Sequence, residues 1–474
     1  MAKGITTTPS AFICGSTPMF FLWRITVDHD APVRDLEEAL QSVPLMDVHT
    51  HLDAGHLSAR GLHDILLYHM MISELGSAGC PSQARLSEEP GAAEVEGRLQ
   101  EAIPYLPHIR GTSCAWGARM ILRDLYGWDE PVTAENWRRA HAVVLERAHD
   151  PAWAREVLRR AGVRRACTEL ARRAQGQADD ILHYALEWAF FTRAQWGVND
   201  IPLYELERAW NQEEPGAPLP VTMGGGRPPL ARTIRTVADV HAALEHYVTH
   251  IPYGRVLSTA THISTDINLR AVTEAEMAAA LQRRDAATPA ERDIYASYIL
   301  EAFLAAFSAH GDEIVYQFSF GAEPLPFETG SKLRQETIFE VAAIMARYPR
   351  VRFQIFLASA HANQALCTLA RELPNVTLVG YWWHNFFPTI MRQVMSERLD
   401  MLPLNRQIGF FSDAYCVDWT YAKAKLVRKQ LAQVLADRVA QGQYTMPEAV
   451  DIAHTILYDT GREALGMEPS AALT

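Results

Sequence analysis

A (β/α)8 barrel is the fold that this sequence predicts, on three observations. Short apolar segments alternate with helix-length amphipathic ones from about residue 256 onward. A buried-looking strand near the start of the chain ends in the polar run Asp47-Val48-His49-Thr50-His51. A second short apolar strand near the far end, Ile408-Gly-Phe-Phe-Ser-Asp413, closes on a carboxylate. Strands separated by helices of this length form parallel βαβ units, which either close into a barrel or open into a doubly wound sheet. No GxGxxG or Walker loop favours the nucleotide-binding sheet.

Taken in order, residues 1–31 mix Thr, Pro, Gly and aromatics without a period and read as an N-terminal arm. A helix over 32–41 leads through a turn at Val43-Pro44 into the first strand. Helical signals then dominate, over 61–76, 92–102, 113–126, 133–148, 151–161 and 178–191, so that 61–250 reads as a mostly helical insertion in one barrel domain covering 32–474. Thr133 stands as an N-cap ahead of an acid in the first turn, and Pro151 fits the first turn of its helix. Within the insertion 162–168 offers a second strand, and the Pro- and Gly-rich 214–229 a loop. Strands at 256–263, 313–320, 352–357, 376–381 and 408–412 follow, with helices at 274–283, 291–309, 336–348, 363–372 and 389–398 between them and long helices at the end.

Composition narrows the function classes. A hydrophobic fraction of 48% in 474 residues supplies ample core material, and α/β barrels run past roughly 400 residues with insertions. Lys and Arg number 44 against 56 acids, and the resulting charge of -12 opposes phosphate binding, which disfavours nucleic acid. No 18-residue apolar run is present, so no membrane partner is expected. The six cysteines are scattered with no CxxC pair, which points to a reducing compartment, and the cluster at 19–23 lacks the features of a secretory signal; a cytoplasmic location is the expectation.

His49 and His51 are two residues apart, and alternate side chains of an extended strand share a face, so both imidazoles can meet one cation. Alone, such a pair is also what two loop histidines look like, and Asp413 alone could cap a helix. Closure of the barrel changes that balance, because it lays the last strand beside the first and brings Asp413 to the histidines. Two imidazoles and one carboxylate leave coordination positions open, as a catalytic metal site requires. Zinc, manganese, cobalt and iron(II) suit these donors alike.

These pieces resemble the uronate isomerases, a branch of the amidohydrolase superfamily. The resemblance spans about Asp47 to Gly466 and is carried by Asp47-Val-His-Thr-His-Leu52, Arg123-Asp-Leu-Tyr-Gly-Trp128, Tyr316-Gln-Phe-Ser-Phe-Gly-Ala322, Asn375-Val-Thr-Leu-Val-Gly-Tyr-Trp-Trp383 and Phe411-Ser-Asp413. It implies an amidohydrolase-type barrel and a homo-oligomer. It also implies a divalent metal, usually zinc, on His49, His51 and Asp413, and interconversion of an aldo- and a keto-hexuronate such as D-glucuronate through an enediol. In that reading Asp413 is a ligand or the residue that orients the base.

Several family positions are rebuilt. The Asp-Ser-Arg triplet at the last strand is Asp413-Ala-Tyr415, the expected histidine of the family's Gln-Leu-His-Ile-Gly-Ala segment is Ser319, the segment after strand one reads Tyr68-His-Met-Met-Ile-Ser73, and the region of Thr265 lacks the family's arginine. A uronate carboxylate needs a charge-assisted partner. Residues placed to refill the site are His384 and Tyr415 as catalytic groups, and Trp382, Trp383, His361 and Arg119 as substrate contacts, with His69 and Asn385 close by in sequence. For the tryptophans the bland alternative is barrel packing, and for Arg119 it is a salt-bridged surface role. Beside the isomerase stand two other readings: a metal-dependent hydrolase or decarboxylase, and a barrel that only binds.

Overall fold

A computed structural model of the chain describes residues 31–82, 86, 90–172, 180–186, 190–192, 202–213, 230–283, 288–311, 313–322, 333–382 and 386–468. The arm ahead of residue 31 and the sequence-predicted loop at 214–229 lie outside them, as do Trp383, His384 and Asn385.

Eight strands follow one another along the described chain: β1 (Leu45–Asp47), β2 (Val163–Glu169), β3 (Leu182–Ala185), β4 (Ser258–His262), β5 (Val315–Phe320), β6 (Phe353–Leu357), β7 (Val376–Val379) and β8 (Gln407–Ile408). Neighbours in sequence pair in parallel, in a run from β1 to β3 and another from β4 to β8. Backbone hydrogen bonds join the two runs at both ends. Between β3 and β4, Leu257 N donates to Tyr184 O and Leu186 N to Ser258 O, both at 2.8 Å. Beyond β8, Asp413 N donates to His49 O at 3.1 Å and His51 N to Ala414 O at 2.9 Å. The sheet therefore closes on itself, and the first and last strands are neighbours.

Burial on both faces explains why these strands read as apolar runs rather than alternating ones. Inside the barrel Met46, Val48, Val315, Phe356, Val379, Trp382, Ile408 and Phe411 form one cluster, while two larger clusters lie between the sheet and the surrounding helices. Gln317 on β5 reaches across the interior to the carbonyl of Val48 at 3.3 Å and to Gln354 Oε1 at 3.0 Å, which identifies the inward face. Two residues on, Ser319 shares that face, and His262 and Phe356 stand in register with it.

Of the helices read after β1, Ala92–Ala102, Ser113–Tyr126 and Pro151–Ala161 have the expected bounds, 61–76 divides into Leu62–Leu66 and His69–Ser77, and Pro202–Trp210 and Val237–Thr249 are additional. Two expectations are corrected. The segment 178–191 does not continue as helix, because Leu182–Ala185 forms β3: with only four residues, a buried strand carries no period to separate it from helix. Thr133 is not the cap of its helix, which begins at Trp137 behind Asn136, and its hydroxyl accepts instead from Glu135 N at 3.3 Å.

The helix Val417–Ala440 follows the last strand and is buried along most of its length. Asp418 in its first turn accepts from Tyr126 Oη at 2.6 Å and from Ala59 N at 2.8 Å. Asp124 accepts from Lys425 Nζ at 2.7 Å and from Tyr421 Oη at 3.1 Å. The segment Arg123 to Trp128 thus docks one helix on another and is structural. Cys80, Cys114, Cys167, Cys367 and Cys416 are buried and unpaired. Among the described residues no helix is long and apolar enough to cross a membrane.

Candidate metal centre

His49 and His51 continue the line of β1 past its paired residues, held by β2 on one side and the chain after β8 on the other. Thr50 between them points the opposite way; its N donates to Cys167 O at 2.9 Å and its hydroxyl to Ala414 O at 2.9 Å. The two imidazoles share a face, with ring centres 5.1 Å apart at 85°. Asp413 Oδ1 stands 3.2 Å from His51 Nε2 and 3.7 Å from His49 Nε2. Among the described residues one ligand atom from each of the three lies within 4.8 Å of the others.

Asp413 is the one described non-glycine residue in the left-handed region, at φ 52°. Aspartate visits that region more readily than most residues, at a cost of order 1–3 kcal/mol when fully strained. Here the conformation is held from three sides: Asp413 N donates to His49 O, and its carbonyl accepts from Tyr68 Oη at 2.9 Å and Lys423 Nζ at 3.3 Å. Lys423 also donates to Ser412 O and to Tyr68 Oη, and it lies under the rings of Tyr68 and Phe386. Burial pulls this ammonium down to about 8. Burial likewise pushes Asp47, which accepts from Ser412 N at 2.8 Å, up to about 7.

Glu169 closes β2 and accepts from His51 Nδ1 at 3.1 Å. A carboxylate can only accept, so Nδ1 carries a proton, and Nε2 on the far side of the ring faces Asp413 Oδ1 at 3.2 Å. A ring oriented in this way is typical of histidine ligands. Burial and the neighbouring His51 pull His49 down to about 4. Burial opposes a charge on His51 too, but Tyr415, Glu169 and Asp413 outweigh it and hold that ring well above its ordinary value. Burial would raise Asp413 and Glu169, yet His51 overrides it and both stay far below the carboxylate range. Positive charge is wanted between these carboxylates, and two imidazole nitrogens and a carboxylate oxygen are donors that fit a divalent cation of the zinc, manganese, cobalt or iron type.

The other sequence-predicted residues separate. Tyr415 is at the mouth, stacked on His51 at 4.8 Å and 16°. His69 approaches the Tyr415 ring at 5.8 Å. His361 is exposed just past β6, at the same end of the barrel. Trp382 is buried in the interior cluster, 5.9 Å from the His262 ring, so packing is the role visible for it. Arg119 is not brought to the centre: it is exposed on the helix Ser113–Tyr126 and donates to Arg110 O at 2.9 Å. Sequence reasoning missed Glu169, Arg172, Lys423 and His262. Glu169 had a usable signal, an acid just beyond a segment already read as a strand. His262 Nδ1 lies 3.0 Å from Ser319 Oγ, so the neighbouring strand brings an imidazole beside that serine.

No protein-family model matches the chain, and no curated protein matches it by sequence. Solved structures do match it. A uronate isomerase from Thermotoga maritima superposes with a TM-score of 0.72, over 93% of this chain and 100% of that one, at 14% identity. A glucuronate isomerase from Caulobacter crescentus gives 0.74 over 93% and 95% at 16% identity. The fold is that of the uronate isomerases. A uronate isomerase from Bacillus halodurans, at 0.63 over 93% and 98% with 16% identity, extends the same likeness. The resemblance read from short sequence motifs is therefore matched by the path of the whole backbone.

Proposed function

We propose that this protein is a metal-dependent sugar-acid isomerase that interconverts the aldose and ketose forms of a hexuronate such as D-glucuronate. The observation that carries this reading is the meeting of His49, His51 and Asp413 within 4.8 Å, at the carboxyl ends of the first and last strands of a fold shared with uronate isomerases. A divalent cation there supplies positive charge beside the oxygens that become an enediolate. Asp413, held as a carboxylate by its neighbours, is a weak base and serves to hold the cation. Glu169 fixes the His51 ring, and Phe356 and Phe411 wall the His49 ring at 5.1 and 5.8 Å. The Tyr415 hydroxyl, at the open edge, is the group assigned to pass the proton: one leaves C2 as the C1 oxygen is protonated, and one returns to C1 as the C2 carbonyl forms.

The test is incubation of the metal-loaded protein with D-glucuronate and D-galacturonate, with ketose formation followed by NMR. Asp413→Asn should keep the far-UV spectrum of the fold and lose both bound metal and turnover; full activity in that variant overturns the assignment. A second reading, a hydrolase or decarboxylase on the same centre, is favoured by Asp413-Ala-Tyr415 and Ser319, which rebuild the substrate shell while leaving the ligands. It takes precedence if a full metal site converts no uronate in a panel.

A further inference from the structure

The guanidinium of Arg172 stands at the edge of the metal centre with donors to spare. Arg172 ends the short turn Leu170–Arg172 that follows β2. Its Nε donates to Glu169 Oε2, on the same carboxylate whose other oxygen faces His51. Its Cζ lies 5.9 Å from the centre of the Tyr415 ring, which is itself stacked on His51. Among the described residues neither Nη1 nor Nη2 makes a hydrogen bond, and the side chain is 29% exposed. A guanidinium presents its five N–H donors in a rigid planar fork, so engaging Nε leaves the edge formed by Nη1 and Nη2 open for a two-pronged contact. Lys423 is closed to this use, since it is buried and its donors go to Tyr68, Ser412 and Asp413.

We propose that Arg172 captures the carboxylate of an acidic substrate, holding it beside the Tyr415 ring while the rest of the molecule extends toward His49, His51 and Asp413. The inference deepens the isomerase reading and rests on it for the choice of a sugar acid. The arginine missing after Asp413 is then supplied from the end of β2, on the other side of the two histidines. Charge points the same way. Once a divalent cation is held, the cation, Arg172, Asp413 and Glu169 together keep one positive charge, which a single carboxylate cancels and a neutral sugar does not.

The experiment measures binding by calorimetry on the metal-loaded protein, with D-glucuronate and D-glucose as probes, for the wild type, Arg172→Lys and Arg172→Gln. The wild type should prefer D-glucuronate. Arg172→Gln should weaken D-glucuronate by roughly ten- to a hundred-fold, the size of a charge-assisted contact, with D-glucose affinity and bound metal unchanged. Arg172→Lys should fall between, because it keeps the charge and loses the fork. Equal D-glucuronate affinity in wild type and Arg172→Gln overturns the proposal. So does loss of metal from that variant, which would mean that Arg172 acts only by holding Glu169. Selective binding of D-glucuronate without ketose formation overturns the isomerase reading and leaves the carboxylate subsite standing.

Discussion

At the scale of single residues the centre depends on a backbone conformation as much as on its ligands. Asp413 stays at φ 52° because Tyr68 and Lys423 donate to its carbonyl, and Tyr68 Oη is the link between them. Tyr68→Phe keeps the ring, which stacks on Trp419 at 4.6 Å, and removes the hydroxyl that makes the link. The expected result is a loss of about 1 kcal/mol in stability together with a several-fold weaker grip on zinc, read by denaturant unfolding and a zinc titration. Unchanged zinc affinity would show that the chain after β8 holds Asp413 without help. His49, His51 and Asp413 were legible in the sequence because each lies where a short apolar run ends in a metal-binding side chain. Lys423 was not, since nothing local tells a lysine on a long helix that it will be buried. Arg172 was not either, for its role needs β2 beside β1 and Tyr415 across from both.

At the scale of elements, the joint between the helix Pro151–Ala161 and β2 sets where the second strand enters the barrel. Gly162 takes φ 75° there, and an added Cβ would overlap the guanidinium of Arg428. That guanidinium is buried and donates to Ala161 O and to Val43 O at 2.6 and 2.7 Å, so it has nowhere else to go. Gly162→Ala combines a left-handed alanine with the loss of charged hydrogen bonds, and should destabilise by roughly 3 kcal/mol. The measurement is the urea midpoint, with the slope unchanged to show that the same surface is exposed on unfolding. Tyr126→Phe tests the neighbouring joint: it leaves buried Asp418 short of its hydroxyl donor and should cost about 1–3 kcal/mol, against near-neutrality if Tyr126 only fills space. Long helices with caps were legible because many residues repeat one period and capping chemistry marks the ends. β3 was not, for its identity is decided by pairing with β2 and β4.

At the scale of the molecule, closure of the sheet and the metal centre are one event. The ligands come from residues 49, 51 and 413, so a bound cation ties the start of the barrel to its end across most of the chain. Alternating strands and helices made a barrel legible, but a doubly wound sheet fits the same alternation. The choice rested on whether Asp413 returns to the histidines, a contact of very long sequence separation. A ligand that binds only the closed form stabilises it by mass action, by about 2.7 kcal/mol when free metal exceeds its dissociation constant a hundred-fold. Removing metal with a chelator should therefore lower the unfolding temperature, and restoring zinc, cobalt or manganese should raise it in step with free metal. His49→Ala, His51→Ala and Asp413→Asn, the last keeping a side chain that tolerates the left-handed backbone, should each abolish that dependence while leaving the metal-free midpoint near that of the wild type. Scans must share one heating rate, since large proteins often unfold irreversibly. A midpoint indifferent to free metal, in a wild type shown to be stripped by elemental analysis, would mean that the backbone bonds between the segments after β1 and β8 close the barrel without a cation.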